Sequence, residues 1–249
     1  MADDPDPRDI AAAWRPERPG KRNAKDIPDA LVEPAWGGIR VAVSLTPDKA
    51  AVYRAGEELD VLDTLLAALV VAFDAVDAVV TGNLTTKALE DGVGVGPALT
   101  KVERPPILIP RAWRKNVKDD PYIQARDFAS REDAAAKPVQ DALAAGVTHA
   151  FVATDLLWLD GMPLGQVPLQ ERKRLLDGIL APSELVRVTP FVKRSAILTL
   201  VTWGQLGFAE LSYRAANSRY AAGSEQADWA VSRPPEGPHG PAKGPVPAR

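Results

Sequence analysis

The chain has 249 residues, of which 46% are hydrophobic and 25% charged, so it is long enough and apolar enough to bury a full core. Its formal net charge of -3 gives no overall basic field, which argues against a protein that coats nucleic acid without specificity. The absence of cysteine excludes disulfides, thiolate nucleophiles and thiolate metal sites, and it fits a cytoplasmic protein. Two histidines are too few for a histidine-built metal site, and His149 is interpreted as a strand-edge residue rather than a base.

The first part of the chain is rich in Pro, Arg and Asp and shows little periodicity, so residues 1–30 are expected to form a flexible extension. Its start is acidic where a secretory signal would be basic. Further on, the apolar stretch Val61–Val80 contains three aspartates. Because a charge at the centre of a membrane helix costs roughly 2.5 to 3.5 kcal/mol, no membrane span is expected. The stretch instead predicts a buried helix from Val61 to about Phe73 and a strand from Ala75 to Val80.

From residue 31 onward, β-branched runs alternate with helix-like segments. The predicted strands include IRVAVSL, AVVTGNL, PPILIP, HAFVATDLLWL, LVRVTPFV and FAELSYRA, and the helix-like segments are DAAAKPVQDALAAG, LQERKRLLDGIL and RSAILTLVTWGQLG. Strands often follow one another with no helix between them, which indicates an α+β fold rather than a doubly wound sheet. Residues 234–249 are dominated by Pro and Gly and are expected to form a disordered tail.

Two segments carry weak motifs. Glycines 92, 94 and 96 in EDGVGVGPALT loosely resemble a phosphate loop, but the Lys-Ser/Thr ending and a long following helix are missing, so a flexible loop is favoured. Residues 111–126, RAWRKNVKDDPYIQAR, mix basic and aromatic side chains as a nucleic-acid contact does. A solvated charged surface is the favoured explanation, because runs of charge usually face solvent, and the role of the surrounding residues 103–147 stays open.

One long segment is more specific. The segment from Phe151 to Leu180 reads FVATDLLWLDGMPLGQVPLQERKRLLDGIL. It resembles the adenylation domain of ATP-dependent DNA ligases of the bacterial end-joining type. In that family FDLL ends a strand, an LDG turn follows and PLxERRxLL opens a helix. In that register the segment LVEPAWGGIRV aligns with the nucleotidyl-lysine motif EPKWDGYR. The segments RAGEEL and AVVTGNL align with the family's RNGxxL and VLDGEL. FAELSYRAANSRYAAGSEQADWAVSR falls at EGxVxKRxxSxYxxGxRSxxWLKVK. The resemblance covers residues 31–233 and implies a nucleotidyltransferase domain of two antiparallel sheets with flanking helices and a central groove.

In that family a lysine attacks the α-phosphate of ATP, carboxylates hold magnesium, and further lysines neutralise the phosphate charge. The resemblance therefore implies ATP and magnesium, yet the reactive positions differ. Ala35 stands at the nucleophilic lysine, and the motif's aspartate is Gly37. Asn83 stands where the family has the glutamate that binds the ribose or the metal, and Ala209 stands at the next glutamate, or Glu210 does if the register shifts. Thr154 replaces the aromatic residue that faces the adenine, and Arg214 replaces a lysine. Val231 and Arg233 replace the two lysines of WLKVK.

The positions that still match mostly serve turns, packing and strand register. They are Pro34, Trp36, Gly38, Arg40, Gly56, Gly82, Asp155, Leu156, Leu157, Asp160, Gly161, Ser218, Tyr220, Gly223 and Trp229. The nucleotide contacts that the resemblance implies as residual are Arg40, Arg54, Asp155 and Arg214. No catalytic or metal-binding residue is predicted, and no cofactor is expected to bind tightly.

The pattern predicts a degenerate ligase-like protein without nucleotidyl transfer and with a binding or accessory role, for which DNA or a DNA-repair protein is the candidate partner. The OB-fold domain that follows WLKVK in active ligases has no counterpart after Trp229, which also predicts loss of sealing. The alternative is a weakly active ATP-dependent nucleotidyltransferase or DNA ligase with a non-standard nucleophile. The sequence names neither the partner nor the oligomeric state.

Overall fold

The computed structural model describes residues 5–85, 150–206 and 210–236, together with Lys137, Gln140, Asp141, Ala144, Ala145 and Phe208. The helices are α1 (Pro7–Ala13), α2 (Asp63–Ala72), α3 (Leu169–Ile179) and α4 (Ile197–Gln205), with a 3-10 helix at Ala24–Asp26. The strands are β1 (Arg18–Pro19), β2 (Ala30–Pro34), β3 (Ile39–Thr46), β4 (Lys49–Arg54), β5 (Glu57–Glu58), β6 (Ala78–Thr85), β7 (Ala150–Leu159), β8 (Met162–Pro163), β9 (Val186–Val188), β10 (Val192–Lys193), β11 (Leu211–Ala215), β12 (Glu225–Gln226) and β13 (Trp229–Ser232).

The largest sheet has the strand order β5-β4-β3-β6-β7-β8, and β9 pairs with β7. Its neighbours are antiparallel except for β9, which runs parallel to β7. Apolar residues alternate along the strands, as at Ile39, Val41 and Val43, and they build a core on one face. Leu65 and Leu69 of α2 and Leu176 of α3 complete this core, so both helices lie on the same face of the sheet.

A smaller sheet has the order β10-β2-β11-β13 and is antiparallel throughout. Its outer face carries Val32, Leu211 and Tyr213, which pack with Leu200 and Trp203 of α4. The fold is thus mixed α and β, with several sheets and helices packed against them, and at this level it agrees with the prediction from the sequence. A third, two-stranded parallel sheet joins β1 to β12.

The N-terminal residues are ordered against the large sheet, where the sequence analysis expected a flexible extension. Helix α1 starts with Asp6 as its N-cap, whose side chain accepts a hydrogen bond from the Arg8 amide. Ala11 and Trp14 pack with Tyr53 and Trp158 on the sheet face opposite to α2. Trp14 alone brings a large apolar surface to an otherwise Pro-rich segment, and this burial stabilises the segment in place.

Most of the remaining predicted elements agree with the structure to within a few residues, but the predicted strand LVRVTPFV is divided into β9, which pairs with β7, and β10, which pairs with β2. The expected helix of residues 61–73 is α2, and the strand expected at residues 75–80 begins later, as β6. Several expectations fall on residues that the structure does not describe: the PPILIP strand, the glycine loop, the basic and aromatic segment 111–126, the strand-edge position of His149, most of the helix-like segment DAAAKPVQDALAAG and nearly all of the tail. Within the described ranges, no helix is both long and apolar enough to cross a membrane.

Candidate functional site

The face of the small sheet that is turned toward the large sheet is polar. Along β2, Leu31 and Glu33 alternate with the core residue Val32, and along β11 Ser212 and Arg214 alternate with Tyr213. Glu33, Ser212 and Arg214 are all buried. Because buried charges need partners, this inner face predicts a network of ion pairs between the two sheets.

Asp155 of β7 is the centre of that network. Its Oδ1 accepts a hydrogen bond from Arg172 Nε at 2.7 Å, and its Oδ2 accepts from Arg172 Nη2 at 2.8 Å. Arg214 Nη2 also donates to Oδ2, at 2.8 Å. The large sheet, helix α3 and the small sheet are therefore joined through one carboxylate, a geometry in which charge-assisted bonds are strong.

Glu17 brings a second carboxylate to the same cluster. It follows α1 in the chain and is only 2% exposed. Its Oε2 accepts a hydrogen bond from Arg214 Nη2 at 3.1 Å. Its Oε1 accepts from the Ala221 amide at 2.6 Å and from Gln226 Nε2 at 2.7 Å. Both oxygens of Glu17 are thus bound, and Arg214 bridges the two carboxylates.

The electrostatics of the cluster follow from this geometry. Burial alone would raise the pKa of Asp155, but the charges of Arg172 and Arg214 outweigh it and hold the pKa below its ordinary value. Burial would lower the pKa of Arg214, but Asp155 and Glu17 raise it. Burial raises the pKa of Glu17, with Arg214 opposing. Asp155 is therefore an ionised group with its charge satisfied inside the protein.

Two arginines share one aromatic ring beside this cluster. The Arg40 guanidinium lies 5.5 Å from the centre of the Trp229 ring, and that of Arg214 lies 5.4 Å from it. Arg40 Nη1 also donates to the backbone carbonyl of Glu17 at 2.8 Å. Three of the residues predicted as residual nucleotide contacts, Arg40, Asp155 and Arg214, are thus brought together.

Arg54 lies on a different surface from those three. Tyr53 pairs with Ala42, which shares its sheet face with Arg40, so the next residue along β4 points to the opposite face. The register therefore separates Arg54 from Arg40, and among the described residues no contact joins Arg54 to the Asp155 cluster. Of the further changed positions, Val231 lies half-buried in β13 and Arg233 lies exposed just after it, while Ala209 is outside the described residues.

The turn after β2 contains Ala35, which is half-buried, and its amide donates to the carbonyl of Glu210 at 3.1 Å. The neighbouring Trp36 indole donates to Thr189 Oγ1 at 2.8 Å. Asn83 Nδ2 donates across to the Trp36 carbonyl at 3.3 Å and lies 3.5 Å from that of Gly37. The amide of Asn83 thus ties the turn to β6 instead of presenting a negative charge.

A buried ion pair lies beside Ala35. Lys173 Nζ is 2.7 Å from Glu33 Oε1, and the lysine side chain is fully buried. Burial lowers the pKa of Lys173, with the charge of Glu33 opposing. The bond from the Ala35 amide to Glu210 continues the pairing of β2 with β11 by one residue, so Ala35 is expected on the same face as Glu33 and its partner Lys173.

Thr154 occupies a β-bulge. In the register of β6 with β7, Thr81 pairs with Asp155 and Gly82 with Ala153, so Thr154 is the extra residue. Its hydroxyl donates to the carbonyl of Thr81 at 3.2 Å. Gly82 is required here, since a Cβ on it would lie 2.2 Å from the Val152 carbonyl oxygen.

Sequence reasoning missed Glu17, Arg172 and Lys173 as members of the site. A signal was present for the last two, because Leu169, Leu176 and Ile179 mark the buried stripe of α3 and both basic residues fall on it. A charge on an apolar stripe predicts a buried partner. Glu17 had no such signal, since its segment shows no periodicity.

The charged groups of the site are paired with one another. Among the described residues, no group of three or more His, Cys, Asp or Glu side chains is placed to hold a metal ion. The carboxylates of Asp155 and Glu33 are directed at arginine and lysine instead.

The fold is similar to that of known DNA ligases. The ligase domain of LigD from M. tuberculosis is 18% identical, with a TM-score of 0.55, and the match covers 89% of this chain and 60% of that structure. A mycobacterial DNA ligase D complexed with ATP and MES is 17% identical, with a TM-score of 0.56 and the same coverage. No protein-family model and no curated protein sequence matches the chain.

The chain therefore has the fold of the ligase domains of ATP-dependent DNA ligases, as the motif resemblance predicts. It spans about 60% of the length of those two structures. At this level of identity the likeness concerns the fold, and the chemistry has to be argued from the residues of this chain.

Proposed function

We propose that the protein is a ligase-like nucleotidyltransferase-fold protein that does not transfer AMP and acts as a binding or accessory factor, with DNA or a DNA-repair protein as its partner. The observation that carries the proposal is that the charges of the candidate site are paired with one another. Arg172 and Arg214 bind Asp155, and Glu17 binds Arg214. Groups paired in this way stabilise the fold and are not available for a metal.

The residues around this network support the same proposal. Nucleotidyl transfer needs an amine nucleophile and carboxylates that hold a metal beside the phosphate. Ala35 offers a methyl group at the position of the family's lysine, and Asn83 offers a neutral amide bound to the turn. DNA is proposed as a partner because the proteins of the same fold are DNA ligases.

The decisive experiment is an adenylation assay. The purified protein is incubated with α-labelled ATP and magnesium and then denatured, beside an active ligase domain as the positive control. We expect no label on this protein. An adduct that survives denaturation and is released by acid, as a phosphoramidate is, would contradict the proposal.

The proposed partner class has its own test. Fluorescence anisotropy with a labelled duplex that carries a 5′-phosphorylated nick measures binding at several salt concentrations. We expect saturable binding that weakens as salt rises, because phosphate contacts release counterions. No binding at about 50 mM salt would exclude this DNA as the partner and leave a protein partner.

Lys173 gives the alternative, a weak nucleotidyltransferase, one specific observation in its favour. Its amine lies on the same face as Ala35. Burial lowers the pKa of this amine, which favours the neutral form that a nucleophile requires. Its complete burial argues against access to ATP. If the adenylation assay does label the protein, loss of the label in Lys173→Met would identify this residue.

A further inference from the structure

The segment Trp14–Gly20, here called the strap, is fixed along its length to the C-terminal part of the chain. The Trp14 indole donates to the Tyr220 hydroxyl, which in turn donates to the carbonyl of Arg15. The Arg18 amide donates to the Ser224 carbonyl at 2.9 Å, and the Gly20 amide donates to the Trp229 carbonyl at 2.8 Å. The strap therefore lies directly over the strands that carry Arg214 and Trp229.

Glu17, at the middle of the strap, enters a ready-made anion site. Its carboxylate receives hydrogen bonds from the Arg214 guanidinium, the Ala221 amide and the Gln226 side-chain amide. Arg40 adds a fourth donor, directed at the carbonyl of the same residue. Convergent guanidinium and amide donors of this kind recognise carboxylates and phosphates alike.

The charge balance shows what the carboxylate contributes. In the cluster, the guanidiniums of Arg172 and Arg214 face the carboxylates of Asp155 and Glu17, so positive and negative charges match. Withdrawing Glu17 would leave Arg214 in excess, with Arg40 beside it over the same tryptophan ring. A buried excess of positive charge attracts an anion.

We propose that Glu17 occupies, from within the chain, a binding site for the phosphate groups of a nucleotide, and that the strap keeps this site closed. The inference rests on the proposed function and on the expectation from the sequence that Arg40 and Arg214 are residual nucleotide contacts. It adds that weak nucleotide binding is imposed by the strap as well as by the changed motif residues. A partner or ligand that displaces the strap would open the site.

Gly20 offers a way to release the strap without changing Glu17 or any side chain that donates to it. A Cβ added to this glycine would lie 2.2 Å from the backbone oxygen of Gln226, so the strap has to move away from β12. Gly178 is the matched control, since a Cβ there meets nothing within 4 Å. Glu57, an exposed glutamate outside the cluster, is the matched control for Glu17.

The test is calorimetric titration of the full chain with ATP, inorganic tripolyphosphate and adenosine at low salt. The strap variants are Glu17→Gln, Glu17→Ala and Gly20→Ala, and the controls are Glu57→Ala and Gly178→Ala. We expect wild type and both controls to bind ATP in the millimolar range or not measurably. The strap variants should bind ATP and tripolyphosphate at least about tenfold more tightly, with no gain for adenosine.

Circular dichroism and urea unfolding show which variants are folded. Glu17→Gln preserves the shape of the side chain, so it serves if truncation prevents folding. A folded strap variant that binds tripolyphosphate no better than wild type overturns the proposal, and so does low-micromolar ATP binding by wild type. If none of the three variants folds, the strap is a structural element alone and the proposal is also overturned. Failure of the proposed function is seen separately, as covalent label on wild type in the adenylation assay.

Discussion

Arg172 binds both carboxylate oxygens of Asp155, with Nε 2.7 Å from Oδ1 and Nη2 2.8 Å from Oδ2, and both side chains are buried. The same guanidinium donates through Nη1 to the carbonyl of Val167 at 2.6 Å, just before α3. The pair therefore fixes the orientation of α3 against β7. This bond makes Arg172 a structural residue, whatever the protein binds.

The first prediction concerns the stability that this pair contributes. Arg172→Ala should lower the free energy of unfolding by about 3 to 5 kcal/mol, because it leaves the Asp155 carboxylate buried with one partner fewer. Urea unfolding followed by circular dichroism measures the change. Arg174→Ala on the same helix is the control, since Arg174 forms an exposed pair with Glu171 and its loss should lower the free energy of unfolding much less. Equal losses in the two variants would show that the buried pair is not a main support of the fold.

The second prediction is a dependence on pH. The pKa of Asp155 is lower in the folded protein than its ordinary value of 3.8. The stability that ionised Asp155 contributes is therefore fully present above pH 3.8 and is lost as the pH falls below it. Asp155→Asn should therefore be less stable than wild type at pH 7, and the difference in their free energies of unfolding should narrow below about pH 4. Urea unfolding across this range measures both proteins. A gap that stays constant from neutral to acid pH would mean that Asp155 is not ionised in the fold.

The third prediction concerns Glu33 and Lys173. Lys173→Met alone should cost about 3 to 5 kcal/mol, because it leaves a buried carboxylate without its partner. Adding Glu33→Gln to that variant should recover much of the loss, since the amide carries no charge. Chemical denaturation of wild type, both single variants and the double variant gives the coupling energy. Additive losses would show that the two groups do not interact as their 2.7 Å separation indicates.

The fourth prediction is that Ala35→Lys does not restore adenylation. The new amine would lie on the same face as Glu33 and compete with Lys173 for its carboxylate. Asn83 supplies no charge for a metal, because its amide is bound to the turn. Labelling with α-labelled ATP should stay at the level of Ala35→Met, which matches the bulk without the amine. Strong labelling of the lysine variant would show that the metal and ribose contacts are provided by residues other than those assigned.

The sequence was informative where motif spacing or periodicity constrained the structure. The long match around Phe151–Leu180 placed β7, the turn after it and α3, and the alternation in IRVAVSL predicted β3. It did not reveal which charges would pair, because Glu17 and Arg214 are far apart in the chain and only the fold brings them together. The ordered strap was also missed, since its stability comes from contacts with residues 220–229 rather than from its own composition.

The strap also constrains the order in which the chain can fold. Trp14 and Tyr220 form their hydrogen bond across a sequence separation of 206 residues, and β1 pairs with β12 at a similar distance. Contacts that close so long a loop carry a large entropic cost until the intervening sheets exist. During synthesis, the strap therefore leaves the ribosome before the strands that hold it, and we expect it to reach its final position among the last elements. In that interval the strap has not yet covered the hydrogen-bond donors of Arg214 and Gln226. A ligand present during folding can therefore reach an anion site that the strap closes in the folded protein.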